Sequence, residues 1–130
     1  MRQLSDARYT AGPAIISSVK RVNIEDLREN SWLEPWHAVS GGVEECELAK
    51  EVSPAHPLFG VEAAAIARHD DDVLFFLPSH QPCLAVVHLT YKRENSDVWP
   101  YTSFFETLAD VEDLILADYI EYRLRWARQR

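Results

Sequence analysis

Residues 83–91 read C-L-A-V-V-H-L-T-Y, and Leu84, Ala85, Val86, Val87 and Leu89 put apolar side chains at almost every position. Side chains alternate across a strand, so such a run is apolar on both faces, and only a central strand covered on two sides satisfies it. That strand needs neighbours, and the chain supplies them upstream. Val73-Leu74-Phe75-Phe76-Leu77 is a second apolar run, closed by Pro78, and residues 61–69 form a third extended stretch. Asp70-Asp71-Asp72 joins these two as a polar turn. The alanines at 63–65 and 67 leave little bulk, which predicts a close-packed neighbour over that strand; helix competes for an alanine-rich run, but the turn directly after it favours a strand. An antiparallel meander of three strands is the economical arrangement.

Helical periodicity brackets this sheet. Ser40-Gly41-Gly42 leads into a short helix from about Val43 to Val52, where Val43, Cys46, Ala49 and Val52 recur at steps of three while Glu44, Glu45, Glu47 and Lys50 are expected to take the water side. Pro54 stops it. A long C-terminal helix is predicted from about Leu108 to Ala127. Thr107 stands three residues before Asp110 as a cap, acidic residues fill the first turns, and Arg123, Arg125 and Arg128 sit near the end, matching the macrodipole. Its apolar arc is wide: Val111, Ile115, Tyr119, Tyr122 and Trp126 form one stripe, and Leu116, Ile120 and Leu124 a second beside it, predicting deep docking or a partner surface. Asn23 and Asp26 mark one or two helical turns ended by Glu29-Asn30-Ser31, and Trp32 and Trp36 are expected to cover the core around Pro35. Residues 1–20 read as a loose arm, with Ala14-Ile15-Ile16, Val19 and Val22 as a candidate short strand. The prediction is one α+β domain over residues 1–130, with a small antiparallel sheet of three or four strands flanked by a short helix and a long C-terminal helix.

A chain of 130 residues, 47% hydrophobic, is long enough for one core and short for two. Its formal charge of -8 repels nucleic-acid phosphate and anionic membrane surfaces and favours a basic protein partner. Cys46 and Cys83 are too few for a disulfide framework and are expected as free, packed thiols. No signal-peptide core begins the sequence and no apolar run reaches the roughly 20 residues that span a bilayer, so a cytoplasmic location is expected.

Several groupings have residue types that can carry chemistry. His69 with Asp70, Asp71 and Asp72 has metal-ligand residue types, but adjacent side chains do not converge on one ion, and a solvated turn explains them. His80, Cys83 and His88 resemble a zinc spacing with only three ligands, and strand parity sends Cys83 and His88 to opposite faces. Neither cysteine stands where its thiol is activated, and no glycine-rich phosphate loop is present. His88, inside an apolar strand, needs a carboxylate or carbonyl partner. The loop His56-Pro57-Leu58-Phe59-Gly60 reads first as structural; its functional reading joins His56, Phe59, Asp70, Asp71, Asp72 and Trp99-Pro100 into one rim of a shallow ligand or partner surface, with His88 nearby. No metal and no cofactor is predicted.

W-x-x-V at Trp36, H-P-L-x-G at His56, D-D-V-L-F at Asp71, A-V-V-H-L-T at Ala85 and W-P-x-T at Trp99 together resemble a group of small, uncharacterised bacterial proteins, across about residues 36–110. Tyr91 stands where that pattern has Trp, and the segment Ala67 to Val73 is shorter than in the pattern. The resemblance implies a bacterial source and a compact α+β unit, and carries no catalytic residue. Small size, acidity and the lack of a coherent catalytic set favour a non-enzymatic interaction module, immunity-like or adaptor. The alternative is a small metal-dependent or hydrolytic enzyme using His56, His69, His88 and Asp70 to Asp72. Homo-oligomerisation through Tyr119, Tyr122 and Trp126 of the C-terminal helix is a third expectation.

Overall fold

The computed structural model describes residues 22–128, so the expected N-terminal arm lies outside the described residues, as does its candidate strand apart from Val22, which is in no regular element. Among the described residues three helices and five strands follow in order: α1 (Ile24–Glu29), β1 (His37–Ala38), α2 (Val43–Glu51), β2 (Ala64–His69), β3 (Asp72–Phe76), β4 (Leu84–His88), β5 (Tyr101–Phe105) and α3 (Leu108–Arg128). The strands form one antiparallel sheet in sequence order, a meander, in an α+β architecture. The three predicted strands are its centre. Two further strands flank them: β1, two residues long, and β5, which pairs with β4 after the loop through Trp99-Pro100.

Both faces of the sheet are covered, as the apolar run in β4 requires. On one face Ile66, Ala67, Leu74, Leu84 and Val86 meet Leu27 of α1, Trp36, and Val111 and Ile115 of α3. On the other, Ala65, Val73, Phe75, Ala85 and Val87 meet Leu48 of α2, Leu58 and Leu89. The parity of β3 and β4 carries this division. In β2 a bulge between Ala65 and Ala67 interrupts it, leaving Ile66 and Ala67 on the α1/α3 face and shifting Arg68 to the α2 face. The tight packing predicted over the alanine-rich strand is present, since Ala65 and Ala67 are fully buried.

Local chemistry sets the ends of the elements. The Asn23 side chain accepts the Glu25 amide at 2.8 Å and starts α1, and the Thr107 hydroxyl accepts the Asp110 amide at 3.1 Å at the start of α3. Asp70 and Asp71 form the two-residue turn between β2 and β3; Asp70 takes the left-handed conformation (φ 51) that aspartate tolerates, while Asp72 already belongs to β3.

The phase of α2 is the main departure from expectation. Glu44 and Glu51 are buried with Leu48, whereas Val43 is 71% exposed and Cys46 and Ala49 also face outward. The acidic side, expected in water, docks on the sheet because the sheet presents donors there. Arg68 Nη1 donates to Glu44 Oε2 at 3.0 Å, and the Ala65 amide donates to Glu45 Oε2 at 2.8 Å. Glu51, fully buried, accepts from the Thr90 and Tyr91 amides at 2.8 Å each and from the Thr90 hydroxyl at 3.1 Å. Four hydrogen-bonded amides or hydroxyls and one guanidinium hold three carboxylates, and buried polar groups so paired are retained where an apolar face would leave those donors unsatisfied. Cys46 is therefore exposed, against the expectation of a packed thiol; Cys83 is partly buried, and both are free.

Candidate functional site

His88 closes β4, and its cross-strand partners are Asp72 at the start of β3 and Tyr101 at the start of β5. The three form one row at the edge of the sheet. His88 Nδ1 lies 2.8 Å from Asp72 Oδ1; a carboxylate only accepts, so the Nδ1 proton is donated to it and Nε2 is left as the second ring position. Both side chains are about half exposed. The carboxylate partner expected for this histidine is thus Asp72. His88 lies between two open clefts. One, about 410 Å3, is lined by Asp71, His88, Thr90, Lys92, Glu94 and Trp99. The other, about 260 Å3, runs under α3 past Trp36, Asp72, Tyr101, Ser103 and Asp118.

The floor beside the first cleft is fixed by the α2 network. Glu51 holds the amide of Tyr91, whose backbone is left-handed (φ 59), while Arg68 Nη2 donates to the Tyr91 hydroxyl at 2.5 Å and to the Asp70 carbonyl at 2.6 Å. Burial alone would lower the Arg68 guanidinium's proton affinity; hydrogen bonds to Tyr91 and Glu44 outweigh it and raise it above its ordinary value. One turn before Glu51, a hydrogen bond to the Glu51 carboxylate, then burial, then like charge hold the Glu47 carboxyl above the usual carboxylate range. Burial pushes the Cys83 thiol up, the opposite of activation.

The predicted rim is only partly assembled. Asp71, His88 and Trp99 line one cleft, and Asp72 joins them through His88. His56 does not: it is buried, its Nδ1 accepts the Leu58 amide at 3.0 Å, and its Nε2 therefore carries the proton donated to the Pro100 carbonyl at 2.8 Å. Both nitrogens are used to tie the 56–60 loop to the start of β5. Phe59 is about half exposed on that loop, and Asp70 is exposed at the turn with its carboxylate 3.7 Å from His69 Nδ1. His80 stacks on Phe104, and Nδ1 donates to the Pro82 carbonyl at 2.8 Å. Cys83 precedes β4 and packs with the α1/α3 cluster, so strand parity does not govern it; roughly 16 Å of strand separates it from His88. Among the described residues no three His, Cys, Asp or Glu side chains converge on a point that would hold a metal ion.

A second surface lies on α3. The helix has 21 residues, about 31 Å, while a five-residue strand spans about 17 Å, so its last turns extend past the sheet. Val111 and Ile115 are buried, and Trp36 Nε1 donates to Asp118 Oδ2 at 2.8 Å as the outermost polar tie to the core side. The second apolar stripe is exposed: Leu116 46%, Ile120 51% and Leu124 50%. Tyr119 and Tyr122 are half-buried on the sheet-facing side, and Tyr122 packs edge-on against Trp126 at 6.2 Å. The exposed apolar stripe of α3 is therefore the leucine and isoleucine row, and of the aromatic residues named from sequence Trp126 is half exposed while Tyr119 and Tyr122 are more covered. Among the described residues no helix is long and apolar enough to cross a membrane. No protein-family model, curated protein or solved structure matches the chain.

Proposed function

We propose that this chain is a non-enzymatic protein-interaction module of the immunity or adaptor kind, working in the bacterial cytoplasm, in line with its resemblance to small bacterial proteins. One observation carries the reading: Leu116, Ile120 and Leu124 form a continuous exposed apolar row on a helix that extends beyond its own core. Scattered exposed apolar residues need no explanation, but an aligned row on a projecting helix is the form in which a helix offers itself to another protein. The acidic first turns of α1 and α3 suit a partner with basic groups.

Photo-crosslinking in the expressing cell tests this. With a benzophenone amino acid in place of Ile120, a discrete protein adduct is expected that the same substitution at exposed Glu62 does not give. Equal labelling at both positions, or none at 120, removes the reading. A second reading, a small hydrolytic enzyme, is favoured by the His88–Asp72 pair at an open cleft, since a carboxylate-oriented imidazole is the usual general base. A hydrolytic activity that His88→Ala abolishes, together with no adduct from position 120, would favour it over the module.

A further inference from the structure

We infer that the partner is a second copy of this chain, and that two α3 helices pair antiparallel about Ile120; the inference rests on reading the outer face of α3 as a docking surface. Leu116, Ile120 and Leu124 recur every four residues on the side of the helix away from Val111 and Ile115, with Ala117 and Ala127 exposed beside them. Small residues flanking a leucine and isoleucine row let two helices approach closely. Charge along the same helix is segregated. Asp110, Glu112 and Asp113 precede the row, and Arg123, Arg125 and Arg128 accompany its end, all of them exposed.

Arg125 is engaged by Glu121 one turn back, at 3.2 Å. Arg123 and Arg128 flank the row. Side by side in the same direction, two such helices set acid against acid and arginine against arginine. Reversed, Glu112 stands level with the copy's Arg128, the copy's Arg123 lies about one turn from Asp113, Leu116 lies beside Leu124 of the copy, and Ile120 meets Ile120 at the twofold axis. This is an isologous contact, in which one patch complements itself. The charge of -8 opposes self-association at long range, so a basic segment is needed to overcome it locally, and three arginines within six residues at the end of α3 provide one.

Sedimentation of the full chain over a range of concentrations tests the pairing. A monomer–dimer equilibrium is expected, weakened by more than about tenfold in Ile120→Glu. A tail-reversed chain (Arg123→Glu with Arg128→Glu) and a head-reversed chain (Asp110→Lys, Glu112→Lys and Asp113→Lys) each self-associate at least about tenfold more weakly, and their equimolar mixture restores the dimer because both ends are again complementary. Circular dichroism on each variant confirms the fold, which these exposed positions leave intact. A chain monomeric at every concentration, a dimer indifferent to Ile120→Glu, or a mixture that stays monomeric overturns the inference. The crosslink from position 120 separates this from the broader reading: an adduct of two copies supports both, an adduct with a different protein overturns only the second-copy pairing, and no adduct with no dimer overturns both.

Discussion

The two helices α2 and α3 lie on opposite faces of one sheet and use their sequences in opposite ways. In α2 the carboxylates of Glu44, Glu45 and Glu51 point inward to donors on the sheet, and Val43, Cys46 and Ala49 point outward. In α3 Val111 and Ile115 point inward, and a second apolar row is left in water. An exposed apolar row can thus arise in two ways. On α2 it is the by-product of a polar docking that the sheet demands. On α3 no such demand exists, and the surplus row lies on a helix longer than the strands beneath it.

Substitutions in the two helices separate these two cases. The largest effect is expected at Glu51→Ala, which leaves the part-buried Thr90 and Tyr91 amides without their acceptor and lowers the unfolding free energy by about 4 kcal/mol, read from the urea midpoint. A loss below about 1 kcal/mol would mean that α2 is not held by its carboxylates. Next comes Ile115→Ala, where the buried inner row of α3 loses packing and a drop of about 3 kcal/mol is expected by the same measurement.

Smaller in size but specific in sign is Glu47→Gln. The folded state holds the Glu47 carboxyl above its ordinary range, so its contribution to stability is complete at acid pH and is lost as pH rises through the raised value. The variant is therefore more stable than the wild type at neutral pH, by less than about 1 kcal/mol at this partly exposed site, and the advantage vanishes below the ordinary glutamate range. Thermal melts at both pH values check it, and a constant difference would place the effect elsewhere. The smallest effects are expected at Val43→Ser and Leu124→Ser, each within about 0.5 kcal/mol of wild-type stability. Only the second should weaken association through α3, and equal behaviour of the two in sedimentation would erase the distinction between the rows.

Much of this fold is legible in the sequence. The apolar runs at Val73 to Leu77 and Leu84 to Leu89 demanded buried neighbours, the aspartate turn joined two of them, and Thr107 with its acidic and basic flanks bounded α3. Strand β5 was missed because Tyr101-Thr102-Ser103-Phe104-Phe105 carries apolar and polar groups without the density of the central runs, and β1 because two residues give no pattern. At the candidate site the partner of His88 was foreseen in kind, a carboxylate, and its identity followed only from the register that sets Asp72 opposite. The 56–60 loop reads first as structural, and His56 folds inward until Pro100 accepts from it, which takes it off the rim of the alternative reading.

Where the chain extends, where it turns and which helix is long follow from alternation, backbone restriction and capping within a few residues of sequence. Tertiary structure decided which way α2 faces and which residues α3 leaves uncovered. A nine-residue helix with interspersed glutamates has no dominant apolar side, so its orientation is chosen by donors from distant parts of the chain: Ala65, Arg68, Thr90 and Tyr91. Arg68 reaches that face only because the bulge in β2 shifts its parity, and a one-residue shift is invisible to a pattern of period two.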